Sequence, residues 1–288
     1  MKQTFFLIAL LFLLLFFHND VIMGAQTGLL LWYQTLLPSL FPFIIITNAL
    51  WETNSYRYLI QAFTPLFRQK SGEFVVFMLG NLCGYPVGGK ILEQFYHANQ
   101  ISLYEKEKLL PYVNQTSPMF IIGYIFPCIL EKQIPLAVFL LSIYIPTIVG
   151  FLFTVYGRDG GSFRLPDKEN NFNITNTFIE AVKTIVLIGV YIMIFSIIYK
   201  ISLPFCHSLY LQIILSFLEI TTGLTVLKEA LQNNCLYLPV IGMLTAFGGL
   251  CSIYQIKCVA HMNTKKYLRT KLLLSTGTFL FLFIYQIF

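Results

Sequence analysis

Nine stretches of this chain run without a single Asp, Glu, Lys or Arg, at 3–19, 21–51, 74–89, 109–130, 133–157, 184–199, 201–218, 230–256 and 272–288. A helix needs about 20 mostly apolar residues to cross the hydrocarbon core of a bilayer, so most of these runs are long enough to span one. Only 11% of the 288 residues are charged and 57% are hydrophobic, whereas soluble domains carry about 25% charged residues. An all-α polytopic membrane protein follows, with the lipid bilayer as its first partner. A soluble enzyme, a nucleic-acid binder and a secreted disulfide scaffold are excluded. The formal net charge of +6 belongs to loops at the membrane surface and not to a nucleic-acid footprint. Six cysteines without a CxxC pair read as packing residues. Phe5–Phe17 is followed by His18-Asn19-Asp20 and not by a small-residue cleavage site, so it reads as an uncleaved first span.

Two runs break the pattern. The stretch 74–89 is short and ends in Gly84-Tyr-Pro-Val-Gly-Gly89, and 201–218 leads into Glu219-Ile-Thr-Thr-Gly223 before apolar residues resume. Irregular backbone at membrane depth survives only where protein or a water-filled cavity satisfies it. Both stretches therefore read as re-entrant hairpins, over 73–99 and 205–230, leaving about seven transmembrane helices. With the N-terminus in the cytoplasm and the spans alternating, fourteen Lys and Arg fall in cytoplasmic segments, Lys106 and Lys271 among them, and two (Lys132, Lys200) outside. That is the positive-inside bias. Each hairpin precedes a span with a polar interruption, Asn114-Gln-Thr-Ser-Pro118 in one case and Phe247-Gly-Gly-Leu-Cys-Ser252 with Gln255 in the other. Hairpin then broken helix, twice and in opposite orientation, is the inverted-repeat plan of secondary transporters. The chain divides as one integral domain: an N-terminal span over 1–27, a first half over 28–156, a cytoplasmic linker over 157–173 and a second half over 174–288. Residues 102–111 read as a short surface helix with Ser102 as N-cap and Glu105 closing a capping box.

The chemistry concentrates at the breaks. Gly84–Lys90 formally matches GxxxxGK, but Ile91 follows and supplies no hydroxyl for magnesium, so a nucleotide P-loop is set aside. A helix starting near Gly88 would instead turn the amides of Tyr85, Val87, Gly88 and Gly89 toward the break, where a substrate carboxylate or phosphate could be held with Lys90 beside it. Asn114 and Ser117 flank unwound carbonyls ahead of Pro118, which lacks an amide proton, and suit a solute or a sodium ion. Glu219 interrupts an apolar stretch, and an intramembrane carboxylate is a functional candidate by default. With Thr221 and Thr222 it could bind a solute or carry a coupling H+ or Na+; no other cofactor and no metal centre is expected. Ser252 and Gln255 complete the substrate-binding set. The four histidines show no ligand spacing, and no Ser/His/Asp grouping argues for an enzyme.

These motifs, taken in order with Trp32 and Leu37-Pro-Ser-Leu-Phe-Pro-Phe43, resemble the YlbJ-type sporulation integral membrane proteins of the nucleoside-recognition or gate-domain group. The resemblance covers roughly 28–275. It implies a fold similar to that of concentrative nucleoside transporters, a place in the bacterial cell membrane or the membrane around the forespore, and movement of dipicolinate, a small aromatic dicarboxylate. A secondary transporter of a small anionic or nucleoside-like solute is the expectation. A membrane assembly or structural protein of spore formation is its rival.

Overall fold

A computed structural model describes residues 2–67, 70–157 and 173–288, and these are helices joined by short turns. In chain order they are α1 (Lys2–Phe16), α2 (His18–Leu31), α3 (Leu37–Glu52), α4 (Tyr56–Phe67), α5 (Ser71–Cys83), α6 (Val87–His97), α7 (Leu103–Leu109), α8 (Pro118–Phe120), α9 (Leu136–Tyr156), α10 (Ile174–Ser202), α11 (Leu209–Ser216), α12 (Ile220–Leu231), α13 (Tyr237–Phe247), α14 (Gly249–Val259) and α15 (Thr264–Ile287). A π-helical turn at Trp32–Leu36 joins α2 to α3, and another at Ile121–Ile129 extends α8.

Among the described residues, five helical segments are long and apolar enough to cross a bilayer: His18–Glu52, Leu136–Tyr156, Ile174–Phe205, Tyr237–Val259 and Thr264–Ile287. The chain is a multi-pass helical membrane protein on that ground. Two of the seven expected spans are shorter. The 3–19 run forms α1, whose Phe5, Phe12 and Phe16 are more than half exposed, and the 109–130 run becomes helical only from Pro118. The expected linker falls almost wholly outside the described residues. The surface helix is α7, where Ser102 Oγ accepts from the Glu105 amide and Glu105 returns a bond to the Ser102 amide.

Burial orders the helices. Tyr237–Val259 is 78% buried along its most apolar stretch, while Leu136–Tyr156 and Thr264–Ile287 are 28% buried. The broken helix α13–α14 is thus the centre, and α9 and α15 present a large share of their surface to lipid. Where helices meet, small residues let backbones approach, because lipid supplies no hydrophobic drive for association. A Cβ on Gly24 would stand 2.7 Å from Ile197 Cα, and one on Gly28 would stand 2.9 Å from Met193 Cα. Those contacts press α2 along α10. One turn on, the Trp32 indole lies over Gly189 and its Nε1–H donates to the Ile185 carbonyl at 2.9 Å.

Candidate functional site

α5 and α6 form one helical hairpin with its tip at Gly84-Tyr85-Pro86, and α11 and α12 form another with its tip at Phe217–Glu219. Each tip meets the backbone break that follows it. Gly84 (φ 77°) and Gly248 (φ 84°) both have positive φ, Gly248 in the left-handed helical region and Gly84 in the extended one, and either costs a residue with a Cβ about 1–3 kcal/mol. At the first tip, Gly80 and Gly88 close on the Val113 carbonyl; a Cβ at either would lie within 2.4 Å of that oxygen. The Gly89 amide donates to Asn114 Oδ1 at 3.0 Å, and Asn114 Nδ2 donates to the Leu110 carbonyl at 2.9 Å. At the second tip, the first amides of α14 take the tip carbonyls: Leu250 N–H donates to Phe217 O at 2.7 Å and Cys251 N–H to Leu218 O at 2.9 Å.

The two halves are bound to each other at their breaks. Thr116 Oγ1 donates to the Thr245 carbonyl at 2.5 Å, and Tyr144 of α9 donates to the Thr116 carbonyl at 2.7 Å. Tyr85 lies over the second break, so that a Cβ on Gly248 would be 3.1 Å from its ring. A narrow cavity of about 20 Å³, room for about one water molecule in this conformation, lies between the tips, walled by Tyr85, Phe120, Glu219, Thr221, Ser252 and Gln255, with Leu36, Leu40, Ile188 and Ile192 as its apolar side. A second space, also of about 20 Å³ and lined by Tyr85, Thr116 and Ser117, adjoins it through Leu36, Leu40 and Phe120.

Glu219 is 1% exposed and starts α12. Its carboxylate accepts from the Thr221 amide (2.9 Å), the Thr222 amide (2.7 Å) and the Thr221 hydroxyl (2.6 Å). Three donors and the positive end of the helix dipole offset the cost of burying the charge. Glu219 is the one charged group on the cavity wall. Gln255 adds an acceptor: Nε2 donates to Cys251 Sγ at 3.3 Å while the buried Oε1 has no protein partner among the described residues. The wall therefore offers oxygen acceptors and no cationic side chain. Among the described residues no three His, Cys, Asp or Glu side chains converge as a metal centre would require.

Of the residues named from sequence, Tyr85, Glu219, Thr221, Ser252 and Gln255 share the cavity, and Ser117 lines the adjoining space. Val87, Gly88, Gly89, Asn114 and Thr222 stand behind it. In this conformation the Gly89 amide and both ends of the Asn114 amide are engaged by the protein, and Thr222 Oγ1 lies 3.3 Å from Ser196 Oγ. Lys90 turns to α10, with Nζ 3.3 Å from Thr184 Oγ1 and 3.7 Å from Glu180 Oε2, instead of toward the break.

Two lysines counted from sequence as loop charges are buried, which corrects that tally to twelve against two. Lys106 donates to Glu93 Oε2 at 2.7 Å. Lys271, 1% exposed, donates to the Asn114 carbonyl at 3.0 Å and to Gln115 Oε1 at 2.7 Å, so an ammonium on α15 holds the unwound segment. No sequence signal separated Lys271 from Lys265, Lys266 and Arg269 beside it. Leu36, Leu40 and Phe120 were equally invisible, being apolar residues in apolar runs.

Neither a family model nor a solved structure matches this chain. Among curated proteins, it is 34% identical over 104 residues to the sporulation integral membrane protein YlbJ of Bacillus subtilis (strain 168), an alignment that takes in 35% of this chain and 26% of that protein. The chain thus matches about a quarter of its relative's length. The likeness supports, over about a third of the chain, its assignment to the YlbJ-type sporulation integral membrane proteins.

Proposed function

We propose that the protein is a secondary transporter that moves a small solute by alternating access, two inverted halves rocking about the cavity between the hairpin tips. The observation that carries this reading is the convergence of both tips and the α13–α14 break on one buried cavity with an intramembrane carboxylate. Discontinuous helices around a midplane site are the transporter arrangement. The reading contains no bond-making step, so it is not an enzyme reading. It places the chain in the bacterial cell membrane with the N-terminus in the cytoplasm, and the membrane around the forespore is the specific location we favour.

The wall chemistry ranks the solutes. Glu219 and the unpaired Gln255 oxygen favour hydroxyl or amine donors, as on a nucleoside-like molecule. A dicarboxylate such as dipicolinate would meet a like charge, which is unfavourable at close range in a low-dielectric site. An anion enters only together with a coupling H+ or Na+ at Glu219. Uptake into proteoliposomes tests this, with nucleosides and dipicolinate offered under proton and sodium gradients to wild type and Glu219→Gln. Uptake by wild type that the substitution abolishes is the expected result; dipicolinate uptake should need a gradient and nucleoside uptake should be the stronger. No uptake of any solute would favour the second reading, a membrane assembly or structural protein of spore formation. The name of the matched relative, a sporulation integral membrane protein, is the observation behind that reading.

A further inference from the structure

Away from the central cavity, a groove of about 700 Å³ opens where α7, the C-terminal end of α9 and the N-terminal turns of α15 meet. Lys108, Lys266 and Arg269 line it together with the single acid Glu107, which leaves a net charge of +2. Lys266 pairs with Glu107 at 3.2 Å, and Lys108 lies 4.3 Å from the centre of the Tyr104 ring. Arg269 is exposed and has no protein partner among the described residues. The ring of Tyr112 packs on Gly150 to form the floor.

The groove continues along α9. Through Phe153 and Gly157 it joins a second depression of about 510 Å³ walled by Val149, Leu152, Phe153 and Tyr156. Val149, Phe153 and Tyr156 are exposed, Phe153 at 78%. The basic end lies where the charged first turns of α15 give way to the uncharged run 272–288, which places it at the boundary of the bilayer. A cationic pocket above an apolar trough fits a molecule with a phosphate at one end and hydrocarbon at the other. Basic pockets between transmembrane helices recognise anionic lipid headgroups on this principle. A free phosphate would leave the apolar trough unused.

We propose that this groove is a binding site for an anionic phospholipid, its phosphodiester between Lys266 and Arg269 with Lys108 nearby, and an acyl chain lying on Val149, Leu152 and Phe153. The site is independent of whether the protein transports.

The test uses the full chain purified in a neutral detergent. Its melting temperature is measured with added phosphatidylglycerol, phosphatidylcholine or sn-glycerol 3-phosphate, for wild type, Lys266→Gln/Arg269→Gln and the exposed control Lys257→Gln. Phosphatidylglycerol should raise the melting temperature of wild type and of the control by several degrees. The other two additives should not, and the double variant should lose most of the shift. Native mass spectrometry of wild type in a mixture of the two lipids gives a second measurement, with phosphatidylglycerol adducts expected to dominate. Equal shifts with phosphatidylcholine, or an unchanged shift in the double variant, would overturn the proposal. So would a shift seen only after residues 159–171 are replaced by a Gly/Ser linker, since the groove would then belong to the chain's own segment. A shift with glycerol phosphate alone would identify a soluble phosphate site instead.

Discussion

At Gly248 two constraints meet. The backbone is left-handed, and the face where a Cβ would project is occupied by the Tyr85 ring and by Ser252 Oγ, each 3.1 Å away. Gly248→Ala should lower stability by about 2 kcal/mol, the left-handed cost plus the displaced ring, read as a lower melting temperature in detergent. Lys271 makes the opposite kind of demand, for a long cationic side chain. Without its ammonium, the Asn114 carbonyl and Gln115 Oε1 lose a donor in a site closed to water. Lys271→Met should therefore destabilise by about 2 kcal/mol, the usual range for a buried group left unpaired. The exposed Lys265→Met should leave the melting temperature unchanged. If both variants behave alike, the ammonium does not hold the unwound segment.

Besides their packing side by side, several elements here are held at their ends. Glu219 caps α12, and losing a cap costs about 1 kcal/mol. Glu219→Gln should accordingly insert and fold with only a modest loss of melting temperature, so a loss of uptake in that variant would not be a folding artefact. The base of the first hairpin is fixed by Glu93 on α6, which accepts from Lys106 at 2.7 Å and from the His261 amide at 3.1 Å, in the link between α14 and α15. Removing one member of a buried ion pair costs about 3–5 kcal/mol, whereas replacing both is far milder. Lys106→Met should recover a large part of the stability lost in Glu93→Gln. Additive losses in the double variant, measured by denaturation in detergent, would refute a coupled pair.

For the whole molecule, orientation is the open quantity that charge predicts. With seven alternating spans, the remaining count of twelve against two predicts that the N-terminus and the α14–α15 link face the cytoplasm. On a cysteine-free background, Lys265→Cys should resist a membrane-impermeant thiol reagent applied to intact cells, and Lys132→Cys should react. The reverse labelling would invert the topology while leaving the cavity as it is.

Much of this was legible along the chain, and for definite reasons. Charge-free length fixed the membrane class, since the bilayer penalises every exposed polar group. The breaks at 84–86, 114–117 and 248 were visible because glycine, proline and clustered polar residues punctuate apolar sequence, and Ser102 with Glu105 announced its own cap; the second hairpin's tip, expected over 219–223, lies instead at 217–219, because Glu219 caps α12 and Ile220–Gly223 are its first turn. What only the tertiary structure decided was the partner of each polar group. The Asn114 side chain and the Gly89 amide satisfy each other, so a helix terminus that looked open is closed. Lys271 left the loop tally for the interior, and Lys90 turned away from the break. Leu36, Leu40, Phe120, Ile188 and Ile192 became a cavity wall without any local mark. Sequence records which groups must find a partner away from water, because that requirement is local. Which partner they find depends on contacts across 94 residues between Lys90 and Thr184 or 156 between Gln115 and Lys271, and those are set by packing alone.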